Sequence, residues 1–190
     1  MMSDAVGVRS SVGPDTTPDH TWEGCTSATL LIWYIKSMVV KATFGAGCFW
    51  HVEEIFLQTP GVMDTKVGYT GGHMHDPSYR DVCTDRTGHA EAVQVEYDPE
   101  RISYDKLLEI FWRNHDPTTP NRQGPDIGTQ YRSAIFCHSP EQERQAHQSA
   151  RALNESGRLR APVVTQIVQA GQFYKAEEYH QRYFRKMGMA

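Results

Sequence analysis

Apolar and polar positions along the chain alternate between strand-like and helix-like spacing. Met38 opens MVVKATF, which reads as a strand over Val39–Phe44 and runs straight into GAGCFW. From about Cys48 to Leu57 the period becomes helical, with Phe49, Val52 and Phe56 on one stripe, and Thr59-Pro60-Gly61 stops it. Val62–Tyr69 reads as a second strand, broken at Gly71-Gly72. In Glu91–Tyr97 the alternation is strict: Glu91, Val93, Val95 and Tyr97 share one face, and Ala92, Gln94 and Glu96 share the other. Ser103 is placed to cap a helix carrying Leu107, Leu108, Phe111 and Trp112, ended by Asp116-Pro117. A strand over Tyr131–Cys137 follows. Ser139 and Pro140 then start a helix that Gly157 ends. Val163–Val168 reads as a strand and Lys175–Lys186 as a helix.

The resulting order, β-α-β-β-α-β-α-β-α, predicts an α+β fold: a mixed β-sheet with packed helices. Two polar stretches interrupt it, residues 71–89 and PTTPNRQGPDIGTQ. Loops of such length inside a compact domain are usually functional. Residues 1–37 contain SSVGPDTTPDHT and have no apolar period. They are expected to be a disordered N-terminal extension, with the domain occupying 38–190 and Met38 as its natural start.

Composition narrows the function classes. The 190 residues suit one domain. Formal net charge is -4 and no Lys/Arg stripe forms, which argues against nucleic acid or an anionic membrane as partner. The four cysteines, Cys25, Cys48, Cys83 and Cys137, form no CxxC pair. A disulfide framework and a zinc site are therefore not expected, and a reducing, cytoplasmic location is. MMSDAVGVRSSV does not read as a signal peptide, and Leu30–Ile35 is too short to span a membrane. A monomer is the expected state.

Cys48 follows Gly47 at a strand-to-helix turn. Unpaired N–H groups and the helix dipole at such a place favour the thiolate, the reactive form. The alternative is a small buried hydrophobe, the common fate of a free cysteine. Glu91 lies on the same strand face as Val93 and Val95. If that face is the core, desolvation raises its pKa and keeps a general acid protonated near neutral pH; at a strand edge it would simply meet water. Tyr79 and Tyr131 adjoin the polar loops and could bond a substrate oxygen, and Asp126 could orient a donor or water. With nine tyrosines, spacing alone does not select these two. His51 and His89 are possible bases. His73 and His75 are a weak metal signal, better read as solvated loop residues.

GAGCFW, GYTGG, SYRDVCTDRTGHAEAVQVEYDP, NHDPTTPNRQGPDIGTQYRSAIF and FYKAEEYHQRYF closely resemble the peptide methionine sulfoxide reductases of the A type, over about residues 39 to 185. The resemblance implies an α+β fold with a ferredoxin-like core and reduction of the S epimer of methionine sulfoxide. It implies Cys48 as nucleophile, Glu91 as proton donor, and Tyr79 and Tyr131 as donors to the sulfoxide oxygen. Phe49 and Trp50 would form the pocket for the sulfoxide methyl, and Asp126 would hold a water or the substrate amide. Attack on the sulfoxide sulfur would leave methionine and a sulfenic acid on Cys48. No metal or organic cofactor is called for. The reductant would be an external thiol, thioredoxin or glutathione with glutaredoxin. A rival reading is a cysteine hydrolase or acyltransferase using Cys48 with His89 or His51 as base. Another is a non-catalytic module that binds methionine side chains.

Overall fold

The structure, a computed structural model, describes residues 39–189. The proposed extension and Met38 lie outside the described residues. In chain order the elements are β1 (Val40–Ala46), α1 (Phe49–Leu57), β2 (Val62–Thr70), α2 (Tyr79–Val82), β3 (Ala90–Tyr97), α3 (Tyr104–Arg113), β4 (Arg122–Gln123), β5 (Asp126–Ile127), a 3-10 turn (Thr129–Tyr131), β6 (Ser133–Cys137), α4 (Pro140–Glu155), β7 (Gln166–Gln169), β8 (Tyr174–Lys175) and α5 (Tyr183–Lys186). One sheet has the strand order β7-β6-β1-β3-β2-β8, and β4 and β5 form a separate small hairpin. Among the described residues only the β6–β7 pairing is parallel. The expected mixed sheet with packed helices is what the chain forms.

The strict alternation of β3 sorts its side chains between two unequal faces. Val93 and Val95 point into the main core with Phe44, Phe56, Leu107, Leu108, Phe111 and Ile135, beneath α1, α3 and α4. Each such fully buried side chain contributes about 1.5–3 kcal/mol. Phe44 stacks between Phe56 and Phe111, with ring centroids 5.2 Å away on each side. The opposite face is thinner: Ala90, Ala92, Ala134 and Phe136, covered by Ala170 and Phe173. Glu91 therefore belongs to the thick, helix-covered face, directly opposite Tyr69 on β2.

The helix starts are where polar chemistry places them. Ser103 accepts the Lys106 N–H, and Ser139 accepts the Gln142 N–H with Pro140 at the head of α4.

Three expectations are corrected. Tyr131 does not begin a strand; it closes the 3-10 turn, and β6 starts at Ser133. The strand expected over Val163–Val168 begins only at Gln166, where pairing with Ala134 starts, because Val163 N–H bonds the Asn154 side chain and Val164 N–H bonds the Pro117 carbonyl. The helix expected over Lys175–Lys186 shrinks to Tyr183–Lys186. Its side chains make tertiary bonds that a helix could not make together. Gln181 accepts the Val67 N–H and donates to the Val67 and Ala176 carbonyls. Arg182 sits at φ +52, while its N–H donates 2.7 Å to the buried Glu53.

Candidate active site

The site begins where β1 meets α1. Gly47 has φ +88, and a Cβ there would lie 2.6 Å from the Gln123 side chain. Only glycine combines that turn with that approach. The turn delivers Cys48 to the N-cap position of α1 with non-helical φ −57 and ψ 119. The N–H groups of Trp50 and His51 lie close enough to favour its thiolate, without making a regular cap bond.

Burial nevertheless outweighs them. The Cys48 thiol is half-buried and pushed up to about 11 by desolvation, with the charges of Glu91 and Asp126 adding to the rise. The preference for thiolate that the helix start gives is thus outweighed, and the resting group is a thiol. The helix start lowers the pKa as anticipated, but desolvation and two neighbouring carboxylates raise it more.

Glu91 is 2 % exposed. It accepts the Phe49 N–H at 3.1 Å through Oε2. Burial raises it to about 7; the Phe49 bond opposes the rise and Asp126 adds to it. The carboxyl is therefore poised near neutral pH, as a group exchanging protons there should be.

The remaining residues arrive from the two polar loops. Tyr79 opens α2, which Ser78 and Asp81 cap reciprocally. Its phenol is held neutral by burial and by the adjoining Cys83 thiol, and it also feels Glu91 and Tyr131. Tyr131 is pushed up to about 12 by burial, then by Glu91 and Asp126, with Cys83 and Cys48 contributing. Both phenols therefore remain hydrogen-bond donors. Asp126 lies half-buried on β5, paired across the hairpin with Gln123, the residue packed on Gly47. Cys48, Glu91, Tyr79, Tyr131 and Asp126 thus form one electrostatic neighbourhood. Of the aromatic pair, Trp50 is half-buried, whereas Phe49 is 1 % exposed and lies behind it.

The histidines divide differently. His89 is buried, accepts the Gly72 N–H through Nδ1 and bonds the Met74 carbonyl through Nε2. Both ring nitrogens are used in holding the loop. His51, His73 and His75 are exposed. Among the described residues no group of three or more His, Cys, Asp or Glu is gathered as for a metal ion, and no helix is long and apolar enough to cross a membrane.

Sequence reasoning assigned no role to FYKAEEYHQRYF, yet it supplies the supports of the site. Glu177 accepts the Tyr69 hydroxyl and the Tyr79 N–H, at 3.0 and 2.9 Å. The Trp50 indole N–H donates to His180, and Tyr183 stacks on Trp50 with centroids 3.8 Å apart. The available signal was an aromatic-rich segment whose polar residues Glu177, His180 and Gln181, at i, i+3 and i+4, would share one helical face among the rings.

The chain is similar to known proteins over nearly all of the described residues. The family model described as peptide methionine sulfoxide reductase matches residues 40–189. The peptide methionine sulfoxide reductase MsrA of Methanoculleus marisnigri is 62 % identical over 148 residues, 78 % of this chain and 90 % of that protein. Among solved structures, methionine sulfoxide reductase A of Corynebacterium diphtheriae is similar at 39 % identity and TM-score 0.73, covering 80 % of this chain and 77 % of that one. Mxr1 from Saccharomyces cerevisiae, in a crystal structure in complex with Trx2, is similar at 27 % identity and TM-score 0.56, covering 77 % of this chain and 86 % of that one. The chain belongs to the peptide methionine sulfoxide reductase family, in its A type.

Proposed function

We propose that this A-type methionine sulfoxide reductase attacks the sulfur of methionine (S)-sulfoxide, free or in proteins, with the Cys48 thiolate, and that Glu91 manages the proton. The observation that carries this reading is the buried Glu91 carboxyl fixed on the Phe49 N–H, one residue beyond the thiol. The Glu91 carboxylate takes the proton from the Cys48 thiol. The thiolate forms a bond to the sulfoxide sulfur, and negative charge gathers on the oxygen. The Tyr79 and Tyr131 hydroxyls donate to that oxygen, and Glu91 returns the proton to it. Net, the oxygen passes from one sulfur to the other, leaving methionine and a Cys48 sulfenic acid. Trp50 offers the accessible part of the apolar wall for the methyl group, backed by Phe49, and Asp126 orients water or the substrate amide.

An external thiol completes the cycle. The complex of the similar Mxr1 with Trx2 supports thioredoxin; glutathione with glutaredoxin is the other donor class. Repair of oxidised proteins in the cytoplasm accords with the free Cys48, Cys83 and Cys137 and a reducing compartment. In this reading residues 38–190 are the catalytic domain and 1–37 an extension. The hydrolase alternative is not favoured: His89 has both ring nitrogens engaged, and the exposed His51 leaves Glu91 and the two tyrosines without work.

The test is turnover of the two sulfoxide epimers by the wild type and by Cys48→Ser. Consumption of the S epimer alone, lost in Cys48→Ser, is the expected result. Substantial turnover by Cys48→Ser defeats the assignment.

A further inference from the structure

We propose that His180 is a positioning residue of the substrate pocket: by accepting the Trp50 indole N–H it fixes the plane of the wall that receives the sulfoxide methyl group. The proposal rests on the assignment of Trp50 to that wall.

His180 lies before α5 and is 1 % exposed. The Trp50 Nε1–H donates to its Nδ1 at 3.0 Å. An indole N–H can only donate, so Nδ1 carries the lone pair and the imidazole proton sits on Nε2. That Nε2 is buried without a hydrogen-bond partner among the described residues. A buried donor left unmet is a cost that a phenyl ring in the same place would avoid. What the imidazole gains over an apolar ring is the bond to Trp50.

The surroundings agree. The His180 ring packs at centroid distances of 4.6 Å from Tyr79, 5.2 Å from Phe49 and 5.5 Å from Trp50. All three are residues of the proposed site. Tyr179, at 4.1 Å, is the fourth ring around it. Trp50 is held further by the parallel Tyr183 ring, inclined by 8°. Its orientation is thus set by the C-terminal segment, some 130 residues away in the chain. An imidazolium would turn two N–H donors toward each other. Burial disfavours that charged form and outweighs the opposite pull of Glu177.

Nuclear magnetic resonance of the nitrogen-labelled wild-type chain tests the proposal without any variant. His180 Nδ1 is expected to carry no proton, and the Trp50 indole proton, identified by its loss in Trp50→Phe, is expected to exchange slowly with solvent. A protonated Nδ1 overturns the proposal. His180→Phe should speed indole exchange and raise KM for the sulfoxide roughly tenfold, with kcat changed by less than about threefold. His180→Asn, whose amide oxygen can replace Nδ1 as acceptor, should recover most of the KM. In a Trp50→Phe background, His180→Phe should add less than about twofold, because its effect passes through Trp50. Unchanged indole exchange in His180→Phe, or losses that simply multiply in the double variant, defeat it. The resonance result does not depend on the chemistry of Cys48, so its outcome stands apart from the Cys48→Ser test.

Discussion

The Phe49 backbone N–H donates to Glu91 Oε2 at 3.1 Å, tying the first residue of α1 to a buried carboxyl 42 positions later. Cys48 occupies the N-cap position of the same helix, so one helix start positions both the thiol and the acid. Burial lifts the carboxyl to about 7 and the thiol to about 11. As pH rises the carboxyl ionises first. Above neutrality the resting pair is a carboxylate and a thiol, holding one proton between them. The reactive pair, thiolate and carboxylic acid, holds the same single proton, so its share of the enzyme is constant between the two pKa values.

That equality sets the pH dependence. Below about 7 the Glu91 acid is fully formed while the Cys48 thiolate becomes scarcer as pH falls. The logarithm of kcat/KM should climb with unit slope to about pH 7 and then stay level. Glu91→Gln removes the lower limb's origin: its rate should keep rising into the alkaline range and remain about 10²–10³-fold below wild type at pH 7. Steady-state rates from pH 5 to 9 for both proteins check this. A wild-type profile that falls through pH 7, or a Gln variant with the same plateau, removes Glu91 from the mechanism.

The same carboxyl should weaken the fold at neutral pH. Its pKa rises from an ordinary 4.5 to about 7 on folding. Below 4.5 both folded and unfolded chains hold the proton, so stability is unaffected. Between 4.5 and 7 the unfolded chain releases it first, and stability declines; the deficit is complete above 7. At 1.36 kcal/mol per pKa step, this is about 3 kcal/mol. Glu91→Gln keeps an oxygen for the Phe49 N–H and has no charge to desolvate. It should raise Tm at pH 8 and leave it nearly unchanged at pH 4.5, as thermal unfolding at the two pH values would show.

Gly47→Ala should impair both fold and catalysis. The added Cβ meets Gln123 at 2.6 Å in a backbone with φ +88. Strain of this kind costs about 1–3 kcal/mol. Gln123 pairs with Asp126 and bonds the Asp116 backbone in both directions, so its displacement moves the hairpin that carries Asp126. Gly157 makes a control, because it also has positive φ, +69, but nothing lies within 4 Å of its absent Cβ. Gly157→Ala should lower Tm alone. Gly47→Ala should lower Tm and reduce kcat/KM by roughly tenfold or more. Equal activity in the two variants would show that Gly47 serves only the turn.

Much of this site is legible because its signals are local. The alternation in β3 puts Glu91 beside Val93, and that face is indeed the thick one. Gly47 before Cys48 marks a turn whichever fold follows. The C-terminal segment reads wrongly for the opposite reason. Its helical composition is overridden by Gln181 bonding the β2 backbone, Arg182 bonding Glu53 and His180 bonding Trp50, partners 114 to 130 residues away. The resting state of Cys48 also escapes a local reading. The helix start can be seen in the sequence, whereas the burial that dominates it, and the charges of Glu91 and Asp126 that add to it, exist only in the folded chain.

Cys48 must be restored from its sulfenic acid after each turnover. Three thiols could in principle attack its sulfenic acid. Cys137 is 1 % exposed in the core beside Ile135, and burial pushes its thiol up to about 11, so it is both inaccessible and a poor nucleophile. Cys83 is exposed at the end of α2, where its N–H bonds the Tyr79 and Asp81 carbonyls and its thiol adjoins the Tyr79 phenol. Cys25 lies outside the described residues. The expected cycle uses one cysteine of the chain: an external thiolate attacks the Cys48 sulfenic sulfur, water leaves, and a second thiol resolves the mixed disulfide. One turnover with sulfoxide and no reductant, followed by dimedone and mass analysis, should find the adduct on Cys48 and the other three thiols free. Cys83→Ser should keep wild-type turnover with either thioredoxin or glutathione plus glutaredoxin. A Cys48 disulfide to Cys25, Cys83 or Cys137 that turnover requires would overturn the one-cysteine cycle and leave the nucleophilic role of Cys48 intact.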